Sequence, residues 1–91
     1  MERLTEFKIS FVSKMPDVLE YGILYISLEY KVAMHKCPCG CGKEVITPFD
    51  SYKGWSIINN NGLITLEPSI LNMIFECKSH YYIKNNKVVW L

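Results

Sequence analysis

The chain has almost no net charge, no long apolar run and no surplus of proline or glycine, and each shortage closes off a class of protein. Ten Lys and Arg against nine Asp and Glu leave a formal charge of +1 over 91 residues. A phosphate-reading domain normally carries a basic excess and a pI above about 9, so nucleic acid is not an expected partner. No stretch reaches the ~18 consecutive apolar residues of a membrane span, and no membrane partner is expected. Glu2, Arg3, Glu6 and Lys8 stand where the apolar core of a signal peptide would begin to build, so the expected location is cytoplasmic. With four prolines, five glycines and no low-complexity tract, the chain has no linker and no glycine-rich phosphate loop. Cysteine is scarce and confined: four residues, three within 37–41 and one at 77. Disulfides are rare in the cytosol, where clustered cysteines more often bind metal.

What is present describes a folded unit. Hydrophobic residues make up 49% and aromatics 13%, too much for a disordered chain. Ninety-one residues make one domain, 1–91, with a sufficient but thin core. The apolar positions alternate. Phe7, Ile9 and Phe11 do so, as do Leu24, Ile26, Leu28, Tyr30, Val32 and Met34, which predicts strands. The second run is too long for one ordinary strand, so a bend or bulge near Glu29 is expected. Asn60-Asn61-Gly62 and Asn85-Asn86 read as hairpin turns. The latter places Tyr81 opposite Trp90 and Ile83 opposite Val88, with Lys84 facing Lys87. Pro68 to Asn72 reads as a turn between strands, and residues 48–53 as a polar loop. The fold class is therefore mostly β, a small antiparallel domain of about six strands.

The chemistry concentrates in His35-Lys36-Cys37-Pro38-Cys39-Gly40-Cys41-Gly42 and in Cys77-Lys78-Ser79-His80. Zinc takes four thiolate or imidazole ligands, typically as two close pairs from separate loops. Cys77 with His80 supplies one pair and the Cys37, Cys39, Cys41 run the other, so these five residues are the expected metal ligands. With His35 the candidates number six for four positions, and the spacing does not choose among the three clustered cysteines. A single zinc that staples the fold is the expectation. A Rieske-type [2Fe–2S] cluster on two Cys–His pairs is the minor alternative, and a redox Cys-x-Cys disulfide is a further one. His35 reads as a neighbour of the site rather than a ligand. Glu44 and Glu76 flank the ligand loops and are candidate bases, although solvated carboxylates are the plainer reading. Ser79 is discounted as a nucleophile activated by His80, because adjacent strand residues face opposite ways. Trp55, Tyr81, Tyr82 and Trp90 are assigned to packing.

The His-x-Cys-Pro-Cys-Gly-Cys-Gly run, Gly54-Trp55-Ser56, Thr65-Leu66-Glu67-Pro68-Ser69-Ile70, Cys77 to Ile83 and the terminal Val88-Val89-Trp90 together resemble one family. Its members are small bacterial and phage proteins classed as a domain of unknown function and often mislabelled ammonia monooxygenase. Residues ~20 to 91 carry the resemblance; Tyr82 stands where Trp is commoner. The resemblance implies a small metal-binding domain, and some members are similar in lying near ubiquitin-like conjugation genes. The leading expectation is thus a structural zinc protein that binds a protein partner, in a ubiquitin-like modification or phage-defence pathway. The alternative is a zinc-dependent hydrolase or peptidase acting on a ubiquitin-like protein or peptide.

Overall fold

The computed structural model describes residues 3–49 and 54–91; most of the loop expected over 48–53 falls outside them. The described residues contain eight strands and two sheets. β1 (Lys8–Phe11), β2 (Ile23–Ser27), β3 (Val32–Lys36) and β4 (Glu44–Pro48) lie side by side in chain order. β5 (Ser56–Asn60), β6 (Leu63–Leu71), β7 (His80–Lys84) and β8 (Lys87–Trp90) do the same in the second sheet. Among the described strand pairs, β1–β2 is parallel and the other five are antiparallel. No helix among the described residues is long and apolar enough to cross a membrane.

The alternating run from Leu24 to Met34 resolves into two strands rather than one bent strand. Lys31 takes φ 54°, and β2 returns as β3 with Ser27 opposite Val32 and Tyr25 opposite Met34. The side-chain period is two on both arms, but the turn shifts its phase: Ile26 pairs with Ala33, so Ala33 and His35 are the buried residues of β3, while Leu28 and Tyr30 are exposed. The Asn61-Gly62 turn takes φ 54° and 90°, the positive values that a two-residue turn needs to match the strand twist. The last hairpin follows the expected register, with Tyr81 opposite Trp90, Ile83 opposite Val88 and Lys84 opposite Lys87. Tyr81, Ile83 and Val88 face the core, while Tyr82 and Val89 face outward.

One element departs from expectation. Pro68 to Leu71 is not a turn but the second half of β6. Leu66 pairs with Ile83 and Ile70 with Tyr81, so β6 advances four residues where β7 advances two. The two extra residues form a bulge at Pro68-Ser69. Proline has no N–H for the ladder and is tolerated in a strand at such an irregularity, which is why the turn signature of Pro-Ser hides a strand.

Both sheets contribute to a single core. Phe7, Leu24, Ile26 and Ala33 come from the first side, and Ile64, Leu66, Ile70, Tyr81 and Ile83 from the second. The N-terminal segment ties the sheets together: Phe7 N–H donates to Asn86 O, Val88 N–H to Thr5 O and Leu4 N–H to Pro38 O, at 2.7–2.8 Å. The β3–β4 and β6–β7 connections meet at one edge of this core, and the functional residues gather there.

Candidate functional site

Two chemically distinct clusters lie on either side of β7. The first is a group of four sulfurs. Cys37, Cys39 and Cys41 come from the β3–β4 connection, Cys77 from the β6–β7 connection, and their Sγ atoms all lie within 4.8 Å of one another. Gly40 and Gly42, at φ 91° and 86°, let the backbone reverse between the cysteines in a conformation that a side chain would strain. Cys37 N–H donates to Lys43 O and Gly40 N–H to Cys37 O, closing the loop around the sulfurs.

The four residues suit a metal ion. A tetrahedron of thiolates ~2.3 Å from zinc has sulfur–sulfur edges of about 3.8 Å. Cys37 and Cys77 are 3.8 Å apart, Cys41 and Cys77 3.7 Å, and Cys37 and Cys39 3.4 Å. All are too long for a disulfide, and all four cysteines are free. Ser79 joins the group: the Cys37 thiol donates to its hydroxyl at 3.4 Å, and the hydroxyl donates to Cys77 Sγ at 3.2 Å. Burial pushes the Cys37 thiol up to about 12, despite the opposing bond to Ser79. At Cys77 burial also acts upward, but the Ser79 side chain and backbone, with the Cys39 and Cys41 thiols, prevail and hold it at about 6.

Neither histidine is among these four. His35 is fully buried, its ring edge-on to Phe7, and its Nε2 shares a hydrogen bond of 2.7 Å with the Tyr81 hydroxyl. Asn72 Nδ2 reaches the same hydroxyl at 3.5 Å and Cys37 Sγ at 3.7 Å. Loss of solvation drops the His35 pKa to about 3, so the imidazole is neutral. His35 thus belongs to a buried polar chain behind the cysteines. Glu44 and Glu76 are exposed.

The second cluster is on the outer face of the second sheet. His80 faces away from Ser79, as alternation along a strand requires. Its Nε2 lies 3.0 Å from Ser69 Oγ. Leu71 pairs directly with His80, which puts Ser69, two residues earlier, on the same face and diagonally opposed. The register shift between Leu66 and Ile70 sets this diagonal placement. Both residues are half-buried, open enough for a substrate. A serine hydroxyl within hydrogen-bond reach of an imidazole is the arrangement of an activated nucleophile. Ser69 escapes sequence reasoning because its partner is eleven residues away across a strand pairing; the one trace is its place in the Thr65 to Ile70 motif.

Residues 11–91 match a family model described as "Bacterial ubiquitination-like system serine protease (BubE)". No curated protein matches the chain, and no solved structure does.

Proposed function

The chain belongs to the BubE family of a bacterial ubiquitination-like system, and from that premise we propose that it is a serine peptidase with Ser69 as nucleophile and His80 as general base. The observation that carries this reading is the 3.0 Å contact between Ser69 Oγ and His80 Nε2. With the imidazole proton on Nδ1, the hydroxyl donates to Nε2 and is ready to lose its proton there. Ser69 Oγ attacks the scissile carbonyl as Nε2 takes the proton. Collapse of the tetrahedral intermediate breaks the C–N bond, and His80 returns the proton to the leaving amine. Water, deprotonated by the same imidazole, then hydrolyses the acyl ester and restores the serine. The substrate class is a peptide or isopeptide bond in a ubiquitin-like protein.

The peptidase half of the zinc-hydrolase alternative is thereby kept, with the serine replacing metal-bound water. Cys37, Cys39, Cys41 and Cys77 are the proposed ligands of a structural zinc, because four thiolates form a closed set with no open position for water. His80 is assigned to the serine instead of to the metal. Zinc bound there would supply folding free energy and hold the β6–β7 connection, whose far end is His80.

A fluorophosphonate probe tests the assignment. Wild-type protein is expected to label on Ser69, and Ser69→Ala and His80→Ala to stay unlabelled. Cleavage of a ubiquitin-like protein carrying a C-terminal peptide extension should fall by roughly a thousandfold or more in either variant. Labelling at another serine, or cleavage by Ser69→Ala at the wild-type rate, overturns it.

A further inference from the structure

The two chain neighbours of Ser69 line different grooves. Pro68 borders a groove of about 740 Å³ on the outer face of the second sheet, shared with Glu67, Tyr82, Lys84, Val89 and Leu91. Ile70 borders another of about 400 Å³, walled by Ile46, Trp55, Leu71, Met73 and Ile74. Tyr82 follows His80 by two residues on the same face, and Leu91 N–H donates to His80 O at 3.0 Å. Pro68 and Tyr82 thus bring the first groove beside the Ser69–His80 pair, and Leu71, which pairs with His80, brings the second beside it, although neither Ser69 nor His80 lines either groove.

The second groove lies between two strand edges. β5 pairs with β6 only as far as Ser56 opposite Glu67, so residues 69–71 continue past the end of β5. β4 is the last strand of its sheet. Trp55 N–H donating to Pro48 O at 2.7 Å closes one end of the space between them. Unpaired strand edges are templates for an extended chain. Most side chains around this groove are apolar, Glu44 and Asn72 being the polar ones, and Ile74 is 93% and Met73 60% exposed. The Trp55 indole N–H is buried without an acceptor among the described residues, and Trp55 itself lines this groove. The first groove differs in character, with Glu67 and Lys84 beside an apolar floor.

We propose that Ser69 sits at the junction of two subsites that hold an extended polypeptide on both sides of the bond being cut, the β4–β6 groove taking an apolar side chain. The enzyme then acts within a chain rather than on a terminal residue or a small ester. This rests on the serine peptidase reading, and the test separates the two.

Peptides spanning three residues on each flank of the scissile bond, with Leu or Asp scanned at each position, are compared with versions truncated on either flank, products being located by mass spectrometry. Truncation of either flank is expected to lower kcat/KM at least about tenfold. One flank should prefer Leu over Asp by roughly tenfold, the scale of one apolar pocket. Met73→Lys with Ile74→Lys should reverse that preference on that flank alone, and Lys84→Glu should alter charge preference on the other flank alone. Equal cleavage of truncated and full peptides, or a Leu preference unmoved by the lysine pair, overturns the two-groove proposal while fluorophosphonate labelling of Ser69 leaves the serine reading standing. Absence of that labelling overturns both.

Discussion

The Tyr81 hydroxyl occupies the point where the buried polar chain meets the core. It bonds His35 Nε2 at 2.7 Å and lies 3.5 Å from Asn72 Nδ2, with the tyrosine wholly buried. Burial pushes its own pKa up, and Asn72 opposes only in part, so it stays a neutral donor. Removing the oxygen leaves a buried imidazole nitrogen without its partner, on a ring whose Nδ1 already has none among the described residues. Such orphaned groups cost about 1–3 kcal/mol each. Tyr81→Phe is therefore expected to lower stability by about that amount, seen as a shift in urea midpoint with an unchanged m-value. Ser69→Ala breaks a half-buried contact at the surface and should move the same midpoint by less than about 1 kcal/mol, which separates nucleophile from scaffold.

At the scale of elements, the β7–β8 turn does more than reverse the chain. Asn86 Oδ1 accepts from Ile64 N–H at 2.7 Å, and its Nδ2 donates to Gly62 O at 3.3 Å, so the side chain fastens one hairpin tip to the other. Its backbone also receives Phe7 N–H, joining the N-terminal segment to the second sheet. Asn86 has φ 69°, so Asn86→Gly keeps the conformation and removes only the side-chain bonds, whereas Asn86→Ala adds backbone strain of ~1 kcal/mol. Both variants should melt earlier, and the alanine earlier than the glycine; equal melting temperatures would show that the side chain contributes all of it. The turn at Asn61-Gly62 was readable because its residue types answer a local need for positive φ. The Pro68-Ser69 bulge was not, because proline followed by a small polar residue marks a turn and a strand irregularity alike.

At the scale of the molecule, the cysteines bring loops from the two sheets to one chemical centre. Three belong to the first sheet's last connection and one to the second sheet's. A metal bound only by the folded chain adds its binding energy to folding. Chelation should lower the melting temperature steeply: losing even ~3 kcal/mol moves the midpoint of a domain this size by about 12–24 °C. A melt unchanged after metal removal is verified by elemental analysis would remove the structural role. Because Cys77 lies in the β6–β7 connection three residues before His80 opens β7, metal loss is also expected to slow fluorophosphonate labelling of Ser69, restored when zinc is returned. A near-neutral chain with exposed apolar groove walls fits a protein substrate better than a phosphate backbone.

The β class, the two Asn-centred turns, the register of the last hairpin and the grouping of Cys37, Cys39, Cys41 and Cys77 were all legible in the chain itself. The first three follow from short-range chemistry, side-chain alternation with period two and residues that tolerate positive φ; Cys37, Cys39 and Cys41 share one tight loop, but Cys77 meets them from the β6–β7 connection through the packing of the two sheets. The tertiary structure alone decided which way His80 faces and what it meets. Cys77-x-x-His80 spacing makes the imidazole a ligand candidate on paper. But Ser79 and His80 face opposite ways, and the shifted register of β6 on β7 sets Ser69 diagonally across from His80 on the outer face. Strand pairing is a long-range choice made by burial of Ile70, Tyr81 and Ile83, and no local pattern encodes the hydroxyl that it delivers to the histidine.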